Sequence, residues 1–246
     1  MFCASQSIGA REEQEDSYGI CWNNENFHVY VLADGMGGHV GGAVASQTVI
    51  DAIKEKYDKN IDFTVSTLEA TLVSANDELQ KLLFKNPTYR GFGTTLILAI
   101  FNGRKLYWVS VGDSILFGVD KNYVIHRLND DHSMKPVLDA MVAAGELDQL
   151  SNQYKKQKNQ LRSALQGREL ELYQIQNQGI NLDDYKYIGL ASDGLDSLRH
   201  EQISSILREL NGYDLASINL CIMDAVRFKK VKNQDNTTLI MIDAGQ

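Results

Sequence analysis

Residues 92–128 read F-G-T-T-L-I-L-A-I-F-N-G-R-K-L-Y-W-V-S-V-G-D-S-I-L-F-G-V-D-K-N-Y-V-I-H-R-L. Within them, residues 92–101, 105–111, 115–119 and 123–128 are short runs rich in β-branched and aromatic side chains, separated by Asn-Gly, Gly-Asp and Lys-Asn turns. They predict an antiparallel meander. Upstream, residues 17–23 and 27–33 read as two strands, followed by a helix over about 39–57. Val65, Leu68, Leu72, Ala75, Leu79 and Leu82 then repeat at spacings of three and four, the single apolar stripe of a second helix. Downstream come a short helix at 137–144, a polar stretch at 145–159 with little periodicity, and strands at 169–176 and 187–191. Two more striped helices follow, marked by Ile203, Ile206, Leu207 and Leu210 and by Leu215, Ile218, Ile222 and Ala225, before a last strand at 237–242. The order strands, helix pair, strands, helix pair, strand predicts an α+β chain of stacked β-sheets with helices packed outside, not alternating βαβ units.

Composition bounds the function. The 246 residues carry 24 Lys+Arg against 32 Asp+Glu, a net charge of −8, which argues against a nucleic-acid binder, since phosphate contacts need a basic face. A hydrophobic fraction of 43% is too high for intrinsic disorder. Cys3, Cys21 and Cys221 form no C-x-x-C pair, so neither a disulfide framework nor a zinc knuckle is expected and a reducing compartment is. The N-terminus lacks a basic segment followed by an apolar one, and the longest apolar run, 96–101, is far short of the roughly 20 residues that span a bilayer. A cytoplasmic protein without membrane contact is the expectation.

The repeated chemical event is an apolar strand that ends on an aspartate. Residues 29–33 run into Asp34-Gly35, residues 108–112 into Asp113-Ser114, and residues 188–192 into Asp193-Gly194; Asp235-Asn236 precedes the final strand. Singly, each has a bland explanation as an Asx-type turn. Four at strand ends can meet in space, and clustered carboxylates without Lys or Arg beside them need cations to be tolerated. All-oxygen ligands favour Mg²⁺ or Mn²⁺ over zinc. The segment Arg11-Glu12-Glu13-Gln14-Glu15-Asp16-Ser17 reads either as a solvated charged loop or as acids that reach the ions while Arg11 receives an anion. The glycines of residues 34–42 fit neither a dinucleotide fingerprint nor a P-loop, because Val40 occupies the third glycine position and no Gly-Lys-Ser/Thr follows.

Eight short motifs in order carry a resemblance: R-E-E-Q-E-D-S at 11–17, V-L-A-D-G-M-G-G-H at 31–39, G-F-G-T-T-L at 91–96, V-G-D-S at 111–114, D-D-H-S at 130–133, A-A-G-E at 143–146, A-S-D-G-L at 191–195 and Q-D-N-T-T-L at 234–239. With them the chain resembles the metal-dependent Ser/Thr protein phosphatases of type 2C (PPM), bacterial branch, over nearly its whole length. The resemblance implies a central β-sandwich of two antiparallel sheets flanked by helix pairs, as one catalytic domain over 1–246 with a flap at 145–167. It implies a centre of two Mn²⁺ or Mg²⁺ ions: Asp34 bridging them, Gly35 offering its carbonyl, Asp193 and Asp235 on the first ion, and Glu15 and Asp16 acting on or through metal-bound waters. Arg11 would hold the substrate phosphate, and Asp113 matches an aspartate that helps bind a third, weaker ion. Two ions sharing a hydroxide would place a nucleophile in line with phosphorus without a phosphoenzyme.

Two departures from the family stand out. Many relatives carry Arg after Gly-Asp-Ser, where this chain has Ile115, so a salt bridge or anion contact from that position is absent. Met36 stands where eukaryotic members have a His that protonates the leaving oxygen; His39 is nearby, but a lone His at a helix start is more often structural. Lys155, Lys156, Lys158 and Arg162 read as a solvated helix face or as cations that steer phosphorylated partners. The implied activity is hydrolysis of phosphoserine and phosphothreonine in proteins, with a cognate Ser/Thr kinase as a further partner. The alternative is a catalytically weak pseudophosphatase that binds phosphoproteins or a kinase.

Overall fold

Alternation along the strands decides which way each side chain faces. The computed structural model describes residues 1–23, 27–37, 40–58, 63–89, 91–229 and 231–245. In chain order the strands are β1 (Phe2–Ser7), β2 (Asp16–Asn23), β3 (Phe27–Met36), β4 (Gly93–Thr94), β5 (Leu96–Asn102), β6 (Lys105–Val111), β7 (Ile115–Asp120), β8 (Ile125–Arg127), β9 (Gln174–Asn181), β10 (Tyr185–Ala191) and β11 (Thr237–Asp243). The helices are α1 (Val40–Tyr57), α2 (Val65–Lys85), α3 (Lys135–Ala143), α4 (Asn152–Gln157), α5 (His200–Glu209) and α6 (Leu215–Phe228). One sheet has the order β1-β11-β10-β7-β8 and the other β2-β3-β5-β6-β9, with β4 added to the end of β3. Every pairing is antiparallel.

In β3, Val29, Val31 and Ala33 face α1 and α2 and join Val49, Ile53, Leu68, Leu72 and Leu79 in one apolar layer. The alternate residues Tyr30 and Leu32 face the other way and meet Leu190, Ile240 and Ile242 of the second sheet. On that sheet Phe117, Leu239 and Met241 turn outward onto Ile203, Leu207, Ile218 and Ile222 of α5 and α6. Three parallel apolar layers thus separate four layers of structure, α-β-β-α, as expected from the order of elements.

Four details differ from the sequence reading. β1 is absent from that reading: all six of its residues are half-buried, so no alternation marks it, and its place is set by pairing with β11. The strand expected at 169–176 is β9 at Gln174–Asn181, a polar outer strand whose register slips between Leu106 and Trp108. Within the polar stretch 145–159 lies the short helix α4, whose N-cap Ser151 accepts the Tyr154 N–H. β3 continues through Asp34 and Gly35 to Met36 because β4 pairs with its last two residues, so Asp34-Gly35 is strand where a turn is the bland expectation. The expected helix start at His39 lies outside the described residues.

Leu32 is fully buried between the sheets. Leu32→Ala should lower stability by about 2–5 kcal/mol through lost contact and a residual cavity, read as a lower midpoint in urea unfolding; an unchanged midpoint would contradict this layer arrangement.

Candidate functional site

The two sheets bring their carboxylates to one edge. Asp16 opens β2 and stands opposite Asp34 in the β2–β3 register. Asp193 follows β10 and Asp235 precedes β11, its neighbour in the second sheet. Asp113 sits in the turn that carries the chain from β6 in one sheet to β7 in the other. A cleft of about 910 Å³ is lined by Asp113, Asp193 and Asp235 together with Lys135, Lys158, Arg199 and His200.

Backbone contacts set these side chains. The Asp34 N–H donates to Thr95 Oγ1 at 2.9 Å, and the Asp34 carbonyl accepts from the Thr95 N–H and from Thr94 Oγ1, both at 2.9 Å. Thr95 Oγ1 and Ser114 Oγ share a hydrogen bond of 2.7 Å, which joins Asp34 to the Asp113 turn. Gly35 donates its N–H to the Glu15 carbonyl at 3.1 Å. A Cβ there would fall 2.2 Å from the Gly42 carbonyl oxygen, so the close approach of β3 to the start of α1 requires glycine. Gly42 matters for the same reason: a Cβ on it would meet both carboxylate oxygens of Glu15 at 3.0 Å. Asn236 fastens the N-terminal loop to the C-terminal strand, accepting from the Glu15 N–H at 2.8 Å and donating to the carbonyls of Ile8 and Glu13 at 2.9 and 3.0 Å.

Asp16 is 4% exposed, and its oxygens differ. Oδ2 accepts from Ser192 Oγ at 2.8 Å and from Thr238 Oγ1 at 2.7 Å. Oδ1 is buried with no protein partner among the described residues. Burial pushes the carboxyl up to about 6, against the lowering effect of the two hydroxyls. Asp34 is held well above the usual carboxylate range by burial, then by the charges of Asp16, Asp193, Asp113 and Asp235. Asp193 is raised likewise, by burial and then Asp113, Asp235 and Asp16. Asp113 is pushed up to about 6 by burial and Asp131. Each acid makes its neighbours harder to ionise.

Among the described residues the one ion pair to these five aspartates comes from Arg11, whose Nη2 lies 2.5 Å from Asp235 Oδ2. Asp235 Oδ1 accepts the Asn236 N–H at 2.8 Å, so both its oxygens are engaged. The donor set is all carboxylate and carbonyl oxygen, undercompensated in charge, with one orphaned oxygen on Asp16; it fits hard divalent cations such as Mg²⁺ or Mn²⁺. No three His, Cys, Asp or Glu side chains among the described residues already converge tightly enough to cage one ion.

The structure brings Arg11, Asp16, Asp34, Asp113, Asp193 and Asp235 into one electrostatic neighbourhood, with Glu15 close enough to act on Arg11. Of the flap cations, Lys158 lines the cleft and Arg162 a separate groove beside Met36, whereas neither Lys155 nor Lys156 lines either one. Ser192, Thr238, Thr94, Thr95 and Asn236 carry no role in the sequence reading. Their signal is adjacency: each lies within three residues of an aspartate or inside a motif that carries the resemblance.

The sequence profile described as Protein phosphatase 2C matches residues 5–213, and the chain belongs to that family. It is 28% identical over 160 residues to the serine/threonine phosphatase stp of Listeria monocytogenes; the match covers 63% of this chain and spans 62% of the length of that relative. A crystal structure of a bacterial serine phosphatase carrying a point mutation superposes with a TM-score of 0.85 at 25% identity, covering 99% of this chain and 97% of the other. The catalytic domain of the phosphatase PstP, solved in complex with two manganese ions, superposes with a TM-score of 0.76 at 24% identity, covering 99% and 97%.

The raised carboxyls give stability a definite pH dependence. A carboxyl whose folded value lies above its unfolded one keeps its proton longer in the folded state, so metal-free stability falls as pH rises from about 4 to about 6. Asp113→Asn removes one such group and should stabilise the metal-free protein at pH 7 by about 1–3 kcal/mol, with little effect at pH 4. Thermal unfolding in EDTA at both pH values measures it, and equal shifts at the two would refute it.

Proposed function

We propose that the chain is a Mg²⁺- or Mn²⁺-dependent protein phosphatase that hydrolyses phosphoserine and phosphothreonine. The carrying observation is the undercompensated aspartate set, Asp16, Asp34, Asp113, Asp193 and Asp235, with the exposed Arg11 paired to Asp235. Family membership, and the phosphatase names of the relatives it matches, support the same reading.

Asp34, central to the set, would hold both ions with the Gly35 carbonyl beside it; Asp193 and Asp235 would complete the first site, and Asp113 a third, weaker one. Bound divalent ions supply the positive charge that offsets the phosphate and make water a competent nucleophile near neutral pH. The protein's own groups do the rest. Arg11, with a side chain 54% exposed, can offer its planar pair of N–H donors to two phosphate oxygens when it leaves Asp235. Ser192 and Thr238 hold Asp16 by Oδ2 and so orient the buried Oδ1, which would act on a water that enters with the ions. Glu15, fixed beside Gly42, adds negative charge near Arg11 and keeps the guanidinium local. The proposed clients are phosphorylated proteins, and a Ser/Thr kinase that acts on the same sites is the natural counterpart. No helix among the described residues is long and apolar enough to cross a membrane, in keeping with a proposed cytoplasmic location.

With Mn²⁺ present, the protein should hydrolyse p-nitrophenyl phosphate and phosphothreonine peptides, and EDTA should stop both. Asp34→Asn or Asp193→Asn should abolish turnover, and undiminished turnover in either would sink the assignment. Arg11→Ala should cost on the order of 10²-fold in kcat/KM, the typical effect of removing one donor to a developing anion, with most of the loss on the peptide substrate.

A further inference from the structure

Asp113 is held by a side chain from another strand. Arg127, the last residue of β8, donates from Nη2 to the carbonyl oxygens of Asp113 at 2.9 Å and Ser114 at 3.3 Å, and from Nε to the Asn129 carbonyl at 3.1 Å. Its Nη1 lies 3.6 Å from Asp131 Oδ2. Asn129 closes the same knot, accepting the Leu116 N–H at 2.8 Å and donating to the Ser114 carbonyl at 2.9 Å. Gly112 and His132 complete it: the Gly112 N–H donates to His132 Nδ1 at 3.2 Å, and the His132 N–H donates to the Gly112 carbonyl at 3.1 Å.

The register explains how Arg127 gets there. It stands opposite Phe117 in the β7–β8 pair, so its side chain emerges on the sheet face that also carries Ile115, and both residues line the cleft. Ile115 follows Gly-Asp-Ser directly and offers no charge of its own. The guanidinium therefore arrives from across the ladder. The knot also continues outward, because the His132 carbonyl accepts the Arg162 N–H and the Gln160 carbonyl accepts the Met134 N–H, both at 2.8 Å. Those contacts fasten the returning limb of the 145–167 segment to the strand end that carries Asp113.

We propose that Arg127 is a positioning residue that fixes the Asp113 turn at the cleft that Asp193 and Asp235 also line, supplying from β8 the cation that position 115 lacks. The inference rests on the reading of Asp113 as a metal ligand. A planar fork is needed because the contacts are two carbonyls, a third carbonyl and a carboxylate in different directions, which a lysine ammonium cannot span together.

The test is calorimetric titration of Mn²⁺ into the wild type, Arg127→Ala, Arg127→Lys and, as a control, Arg104→Ala. Arg104 is bonded to Asp183 and to the Ala244 carbonyl, away from the cleft. Loss of a group that orients a ligand typically costs about 10–100-fold in metal affinity. Arg127→Ala should therefore weaken Mn²⁺ binding at the weaker site that Asp113 would serve about tenfold, leaving the tighter sites alone, and the Mn²⁺ concentration for half-maximal hydrolysis should rise more than kcat falls. Arg127→Lys should lie between, added guanidinium ion should restore part of the loss in Arg127→Ala, and Arg104→Ala should leave Mn²⁺ binding alone. Unchanged Mn²⁺ affinity at that weaker site in folded Arg127→Ala overturns the proposal, as does an equal loss in Arg104→Ala. If Arg127→Ala does not fold, Arg127→Lys decides: wild-type affinity refutes a role for the fork. Turnover surviving in Asp34→Asn would bring down the phosphatase reading instead, a result separable from any of these.

Discussion

Everything at the site depends on one buried carboxylate at the seam between the sheets. Asp16 begins β2 in one sheet, and the hydroxyls that hold it, Ser192 and Thr238, belong to the ends of β10 and β11 in the other. Ser192 does more than donate: its Oγ accepts the Thr238 N–H at 2.9 Å, and its own N–H donates to the Thr238 carbonyl at 3.1 Å. Hydrogen bonds to a charged group contribute roughly 1.5–3 kcal/mol each, against a burial cost of several kcal/mol for an ionised carboxylate. The two terms are comparable, so Asp16 is tolerated at neutral pH and no more. Its unsatisfied oxygen, and the mutual repulsion of Asp34, Asp193 and Asp113, leave this edge of the sandwich unfinished without added positive charge.

The layers are legible in the sequence because each carries a strong period. The stripe from Leu68 to Leu79 has one face to bury, and the alternation of Val29, Val31 and Ala33 with Tyr30 and Leu32 separates two cores. β1 and the bounds of β9 escape such a reading for the opposite reason: half-buried or exposed Cys, Ala, Ser, Gln and Asn side chains carry no period, and only long-range pairing fixes them. At the site, aspartates at strand ends announce themselves by type and repetition. The hydroxyls and amides that aim them do not, since Ser192, Thr95 and Asn236 are ordinary turn residues until the fold sets them beside a carboxylate. The pairing of Arg11 with Asp235 is likewise invisible, the two being 224 positions apart.

Arg11 stands in two relations that pull against each other. As neighbour of Asp235 it partly neutralises a group proposed to bind a cation; as a largely exposed guanidinium it is the group proposed to receive the substrate's anion. The same guanidinium cannot serve both fully, so under that proposal metal occupancy at Asp235 and phosphate occupancy at Arg11 would favour one another, and by linkage the favour would be mutual.

The last strand has a bearing on synthesis. β11 lies between β1 and β10, inside its sheet and not at an edge, and Asp235 and Asn236 just before it and Thr238 within it hold Arg11, the loop before β2, and Asp16. A nascent chain that has not yet released this strand from the ribosome has a gap in one sheet and three unfastened N-terminal contacts. The helix pair α1–α2 and the meander can pack beforehand, since their partners are local in sequence. The carboxylate edge is therefore assembled only when β11 enters its sheet, onto layers that have already packed.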